Sequence, residues 1–181
     1  MIYTTLRYMV FGPYDLNQFP VFLVNKALSF SAVLCWFVGG VHYFKSVDSR
    51  GKQWNHIAFH LTILHVLLSL SVFSPSYYSK WFLDQTLTYA GELSLLFGVL
   101  GFYVMVLIRF KMHCMLAKPT LKIVLYLLVA CHLWFTGWNG WLAVSKWHGH
   151  MPPISLLCFV LVLGSIALHL AQLRNQNSKP S

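Results

Sequence analysis

Five apolar stretches, each long enough for the roughly 20 residues that cross the hydrocarbon core of a bilayer, divide this chain into about 20–43, 54–73, 87–108, 121–144 and 153–173. They predict an all-α polytopic membrane protein, a five-transmembrane-helix bundle that occupies residues 1–181 as one transmembrane domain. The first stretch begins at Pro20, where a missing N–H costs nothing at a helix start. The second runs into Ser74-Pro75, which cannot continue a helix. The segment SPSYYSKWFLDQ that follows is amphipathic enough to lie along an interface. Near the end of the fourth stretch, Gly137-Trp138-Asn139-Gly140-Trp141 is expected to break the helix.

Polar residues inside these runs are where chemistry is to be sought, because a buried polar group without a partner costs a few kcal/mol (roughly) and ionisable groups within spans face a partner, a cofactor or the bundle interior. The second run, WNHIAFHLTILHVLLSLSVF, carries His56, His60 and His65. At about 100° per residue, His56 and His60 share one face about 40° apart, while His65 lies about 140° from His60, so the three cannot address one ligand. His132 in the fourth run matches His65 in depth, both about 16 Å in by helix rise, which permits a midplane pair or a single interhelical hydrogen bond. His169 lies about 6 Å from the end of the fifth run, and His60 enters about 9 Å from the same side, so those two can present imidazoles at one level with a haem b between them. Ala90, Ser94 and Gly98 form a small-residue stripe suited to close helix packing or a flat cofactor. Glu92, about one turn inside the third run, can accept a proton from a quinol, pair with Lys26 or face water. Lys26 itself can snorkel outward. His42 falls at a boundary, and His148 and His150 sit in a loop without a third ligand in view.

Composition agrees with the membrane assignment. Of 181 residues, 57% are hydrophobic and 9% charged, with mean hydropathy +0.62, outside the range of a soluble domain. Lys and Arg concentrate after the first and third runs and in the tail (Lys45, Arg50, Lys52, Arg109, Lys111, Lys118, Lys122, Arg174, Lys179), which places the N-terminus outside and the C-terminus in the cytoplasm. The net charge of +9 is then explained by topology and contact with lipid, and requires no nucleic acid. Tyr77, Tyr78, Trp81, Trp138, Trp141 and Trp147 mark the outer boundary as an aromatic belt. Cys35, Cys114, Cys131 and Cys158 show no CxxC spacing and read as small apolar fillers. The N-terminal segment lacks the charged start and small-residue cleavage site of a signal peptide, so the first run is taken as retained. No nucleotide motif, nucleophile elbow or paired inward carboxylates suggest a complete enzyme.

Phe59-His60-Leu61 opening the second run, Ser74-Pro75 before an aromatic segment with Trp81, Ala90-Gly91 opening the third run and Leu168-His169 closing the fifth resemble the membrane cytochrome b (gamma) subunit of respiratory nitrate reductases and its relatives. The resemblance covers roughly Trp54 to the C-terminus. It implies a haem b-binding anchor of a respiratory complex in the bacterial inner membrane, with His60 and His169 as ligands of the haem iron, carrying electrons from the quinone pool to a partner subunit on the cytoplasmic face. His56 competes with His60 as the ligand. The residues expected to hold a second haem in that family are Leu70 and Met151 here, so the pattern departs at the outer level. A reading from another class is a structural or metal-binding transmembrane subunit without haem, its histidines hydrogen-bonded or holding copper or zinc.

Overall fold

Polar punctuation sets where the helices stop, and burial sets how they pair. A computed structural model of the protein describes residues 1–12, 19–45, 48–112 and 118–177; Cys114 and Lys179 lie outside them. A short N-terminal helix, α1 (Ile2–Thr5), continues into a wider π-helical turn (Leu6–Val10). The long helices are α2 (Phe19–Phe44), α3 (Asp48–Ser71), α4 (Tyr89–Phe110), α5 (Lys118–Leu142) and α6 (Ile154–Asn177). Four segments, Val21–Phe44, Tyr89–Phe110, Pro119–Leu142 and His148–Asn175, are long and apolar enough to cross a membrane. Helix α3 has the length but opens with Asp48-Ser49-Arg50-Gly51-Lys52-Gln53 and turns mainly apolar only from Ile57, so it falls short in apolar density.

Helix α2 packs along α3 and α4 along α5, while α6 packs against both α2 and α5 and so joins the two hairpins. The outward faces are apolar: Ile57, Leu64, Leu67 and Leu70 of α3 and Leu96, Val99, Leu100 and Tyr103 of α4 are exposed. Asn25, Ser94, Ser165 and His169, in contrast, are buried. Lipid makes the same demand, since only groups facing other helices can satisfy a polar side chain there.

The two ends differ. At one, which we call the basic end, Arg50, Lys52, Arg109, Lys111 and Arg174 gather near the helix termini. At the other, the loop end, residues 72–88 fold over the bundle as turns, a 3-10 turn (Ser79–Trp81) and a two-stranded hairpin of β1 (Phe82–Leu83) and β2 (Thr86–Leu87), with Phe82 opposite Leu87. Asp84 and Gln85, both with positive φ, make its two-residue turn. Pro75 keeps α3 from continuing, and the segment instead closes as turns and a short hairpin whose paired strands satisfy their own backbone groups. Thr88 then caps α4 by accepting from the Gly91 N–H at 3.2 Å. The N-terminal segment lies at the same end, where Tyr3 donates to the Pro152 carbonyl at 2.5 Å.

Helix α5 runs unbroken through Gly137-Trp138-Asn139-Gly140-Trp141, contrary to the expected break. Stacking of Trp134 on Trp138 at 6.2 Å, with Trp141 edge-on to Trp134 at 5.8 Å, holds the last turns in helical register despite two glycines. Helices α2 and α3 approach closely at the basic end. A Cβ on Gly51 would lie 2.9 Å from Tyr43 Cδ2 and 3.2 Å from the Gly39 carbonyl oxygen, so only glycine lets the helices come this close. Gly51→Val should destabilise the bundle by about 1–3 kcal/mol through overpacking. Leu64→Ala, on the exposed face, should change stability by no more than about 0.5 kcal/mol. Thermal unfolding in detergent checks both, and equal melting temperatures for the two variants would contradict the packing.

Candidate functional site

Between the two hairpins lies a cavity of about 370 Å³, to which every long helix contributes: Ala32 and Trp36 from α2, Thr62 and His65 from α3, Gly98 and Met105 from α4, His132 and Thr136 from α5, Ser155 and Cys158 from α6. That volume falls within the roughly 300–1,000 Å³ of cofactor and ligand pockets. Along α2 the lining runs from Asn25 to Trp36, about 16 Å by helix rise. Its deep part, at Trp36, Phe102 and Met105, is apolar; its loop-end part carries Lys26, Tyr78, Lys80 and Trp81.

Two of the histidines singled out in the sequence, His65 and His132, line this one cavity. Each is held by Nδ1. The His65 Nδ1–H donates to Asn25 Oδ1 at 2.5 Å, and the Asn25 amide in turn donates to Ser69 Oγ at 3.0 Å and the Tyr78 hydroxyl at 3.1 Å. Asn25 is 3% exposed, so its bonds form away from water. The His132 Nδ1–H donates to the Ser94 carbonyl at 2.7 Å. A carbonyl oxygen can only accept, so both rings carry their proton on Nδ1 and leave Nε2 as a lone pair. A histidine that donates from one nitrogen to a carbonyl while offering the other is the arrangement in which protein histidines bind metals.

Helix α4 makes room for His132. A Cβ on Gly98 would stand 2.9 Å from His132 Nδ1. Ser94, fully buried, bonds Thr136 Oγ1 at 2.7 Å. Ser94 and Gly98 of the small-residue stripe thus serve the approach of α5 and the seating of an imidazole.

The other sequence candidates are placed elsewhere. His60 and His56 are exposed on the outward face of α3, their rings 4.5 Å apart, in the same helical stripe as Ile57 and Leu64. His169 is buried, but its Nε2–H donates to the Pro119 carbonyl at 3.2 Å, tying the end of α6 to the start of α5. The structure gives His60 and His169 different surroundings: α3 packs on α2 and carries His60 exposed, whereas α6 packs on α2 and α5 and holds His169 buried against Pro119. Equal depth along two helices is not equal azimuth, and depth was all that spacing supplied. Glu92 is exposed in the first turn of α4, where the helix dipole favours an acid, and does not line the cavity. Lys26 lines the cavity, with Nζ 5.4 Å from the centre of the Phe22 ring, in place of the outward reach expected of it. His148 and His150 form a turn around Gly149, and no group of three or more metal-binding side chains occurs among the described residues. Cys35, Cys131 and Cys158 are free thiols, Cys158 packed in the core with Val33 and Ile154. Asn25 and Ser94 were not anticipated as holders of the imidazoles. Asn25 had a signal, being an uncharged amide within a span; the Ser94 contact is through backbone and has none.

The chain matches no protein-family model and no curated protein sequence.

Removing the acceptor of His65 tests the site. Asn25→Leu leaves a buried N–H unsatisfied and should cost about 1–2 kcal/mol, read as a lower melting temperature. An unchanged melting temperature would show that His65 does not depend on Asn25. A second test uses Lys80. Lys80 is exposed along part of its length and its ammonium bonds the Thr136 carbonyl at 2.5 Å, where partial desolvation and then repulsion from Lys26 push its pKa down from 10.5 to about 7. The unfolded chain then holds this proton up to 10.5 while the folded chain releases it near 7, so the unfolded state binds more protons in that window and stability rises with pH across it. Lys80→Met should flatten that rise, seen by comparing the melting temperatures of both proteins at pH 7 and at about pH 9.5.

Proposed function

We propose that the protein is a haem b-binding electron-transfer subunit of the membrane, in which His65 and His132 would hold the haem iron. The observation that carries this reading is the pair of imidazoles lining one cofactor-sized cavity with both Nδ1 atoms committed to carbonyl oxygens. Two nitrogen donors without a third protein ligand suit an iron whose other four positions come from a macrocycle, whereas a structural zinc site takes four protein ligands. The apolar lining at Trp36, Phe102 and Met105 suits the macrocycle's body. When bound, haem supplies a one-electron couple between ferric and ferrous iron. Asn25 and the Ser94 carbonyl would fix the tautomers and ring orientations of the two ligands. Tyr78, Lys80 and Trp81, on the hairpin segment, line the loop end of the cavity.

On this reading α3 is the fifth span, its polar first turns lying at the membrane surface, and the N-terminus faces outward by the distribution of Lys and Arg. A bacterial inner membrane, the quinone pool as electron source and a redox partner on the basic, cytoplasmic end complete the proposal. His132 is ten residues from the loop end of α5, about 15 Å, and fourteen from its start, about 21 Å. The cavity nonetheless extends to Met105, five residues from the end of α4 and so about 8 Å from the basic end. The lining thus runs from Lys26 and Lys80 at the loop end to Met105 near the basic end, and residues along it would hold a cofactor between an outer quinone and an inner partner. Arg50, Lys52, Arg109 and Arg174 give that end a salt-sensitive docking surface for an acidic partner.

Expression with haem, followed by visible spectroscopy of the purified protein, tests the assignment. His65→Ala and His132→Ala should each abolish the low-spin Soret and α bands, while His60→Ala, His56→Ala and His169→Ala keep them. Full retention in His132→Ala would defeat the proposal, and loss confined to His60→Ala and His169→Ala would restore the pairing expected from spacing.

A further inference from the structure

The cavity is electrically one-sided. Lys26 and Lys80 both line its loop-end part, and none of the described lining residues is acidic. Lys80 gives one N–H to the Thr136 carbonyl and has two left, while Lys26 rests on the Phe22 ring. The structure records no ion pair for either among the described residues. A third donor stands beside them: Trp81 is 8% exposed, lines the same cavity, and its buried indole Nε1–H has no hydrogen-bond partner. Orphaned buried donors are rare in folded proteins and call for an acceptor. Stacking on Tyr78, at 4.7 Å and 10° between ring planes, fixes the indole in place. Two ammonium groups and a fixed N–H at one end of a cavity whose other end, at Trp36, Phe102 and Met105, is apolar are the complement of a flat apolar molecule with carboxylates on one edge.

Resting on the haem reading above, we propose that Lys26, Lys80 and Trp81 Nε1 bind the two propionate carboxylates of the haem and so fix its orientation, acid edge toward the loop end and vinyl edge toward Trp36 and Met105. Two lysines facing one cavity repel each other, and two carboxylates relieve that repulsion while supplying the acceptor that Trp81 lacks. The orientation also sets which edge of the macrocycle lies nearest the basic end.

The test is a Soret titration of the full-length apoprotein in detergent with iron protoporphyrin IX and, separately, with its dimethyl ester, which keeps the iron and the ring and lacks the charges. The wild type should bind the diacid at least tenfold more tightly than the diester. Lys26→Met combined with Lys80→Met should lose that preference while the low-spin band formed with the diester persists, and Trp81→Phe should weaken diacid binding alone. Equal affinity of the wild type for both porphyrins would overturn the carboxylate site and leave the histidine ligation standing. If neither porphyrin binds the wild type, the ligation and the carboxylate site fall together. The wild-type comparison decides the matter even if the double variant does not fold.

Discussion

In a bundle whose outer surface is apolar, an inward polar side chain has no solvent to fall back on and must be satisfied by another helix. Asn25 and the Ser94 carbonyl meet that requirement for His65 and His132. Each such bond is worth only about 0.6–2 kcal/mol. Its larger effect is geometric. The first bond locks the azimuth of α3 against α2, the second that of α5 against α4, and both imidazoles then line the space between the hairpins. Turning either helix by one residue, about 100°, would carry a histidine toward lipid and leave its partner bare.

The cavity follows from the same constraint. Helices α2 with α3 and α4 with α5 make tight pairs, aided by Gly39, Gly51 and Gly98, and α6 bridges the pairs along one side. With the pairs drawn together internally, side chains alone fill the seam between α3 and α4. Phe59, Met105 and Leu125 close it near the basic end, where Arg109 lies over the Phe59 ring at 5.6 Å. Toward the loop end the residues are smaller or polar, Thr62, Ser69, Gly98 and Thr136, and the space stays open. The hairpin segment covers that end and contributes Tyr78, Lys80 and Trp81, so a loop that spacing marked only as interfacial becomes part of the site.

The helical class, the positions of the long helices and the aromatic, loop-bearing end were legible in the sequence, because the length of an apolar run and the places of proline, glycine and lysine act locally along the chain. The shared face of His56 and His60 was legible too, being a property of one helix. What spacing along separate helices cannot give is which faces meet. His60 and His169 have the right depths, yet one is exposed and the other is spent on Pro119, while His65 and His132, no better matched in depth, line a common cavity. Azimuth is decided by packing: the glycines that admit a neighbour, the amide that finds an imidazole, the backbone carbonyl that no residue code reveals. Helix α3 shows the converse, since its polar opening is plain in the sequence but its course along α2 is fixed only by tertiary contact. The sequence by itself determined that this chain forms long apolar helices carrying imidazoles; the tertiary structure decided which imidazoles share a cavity, because rotation about a helix axis is set by neighbours and not by the chain's own period.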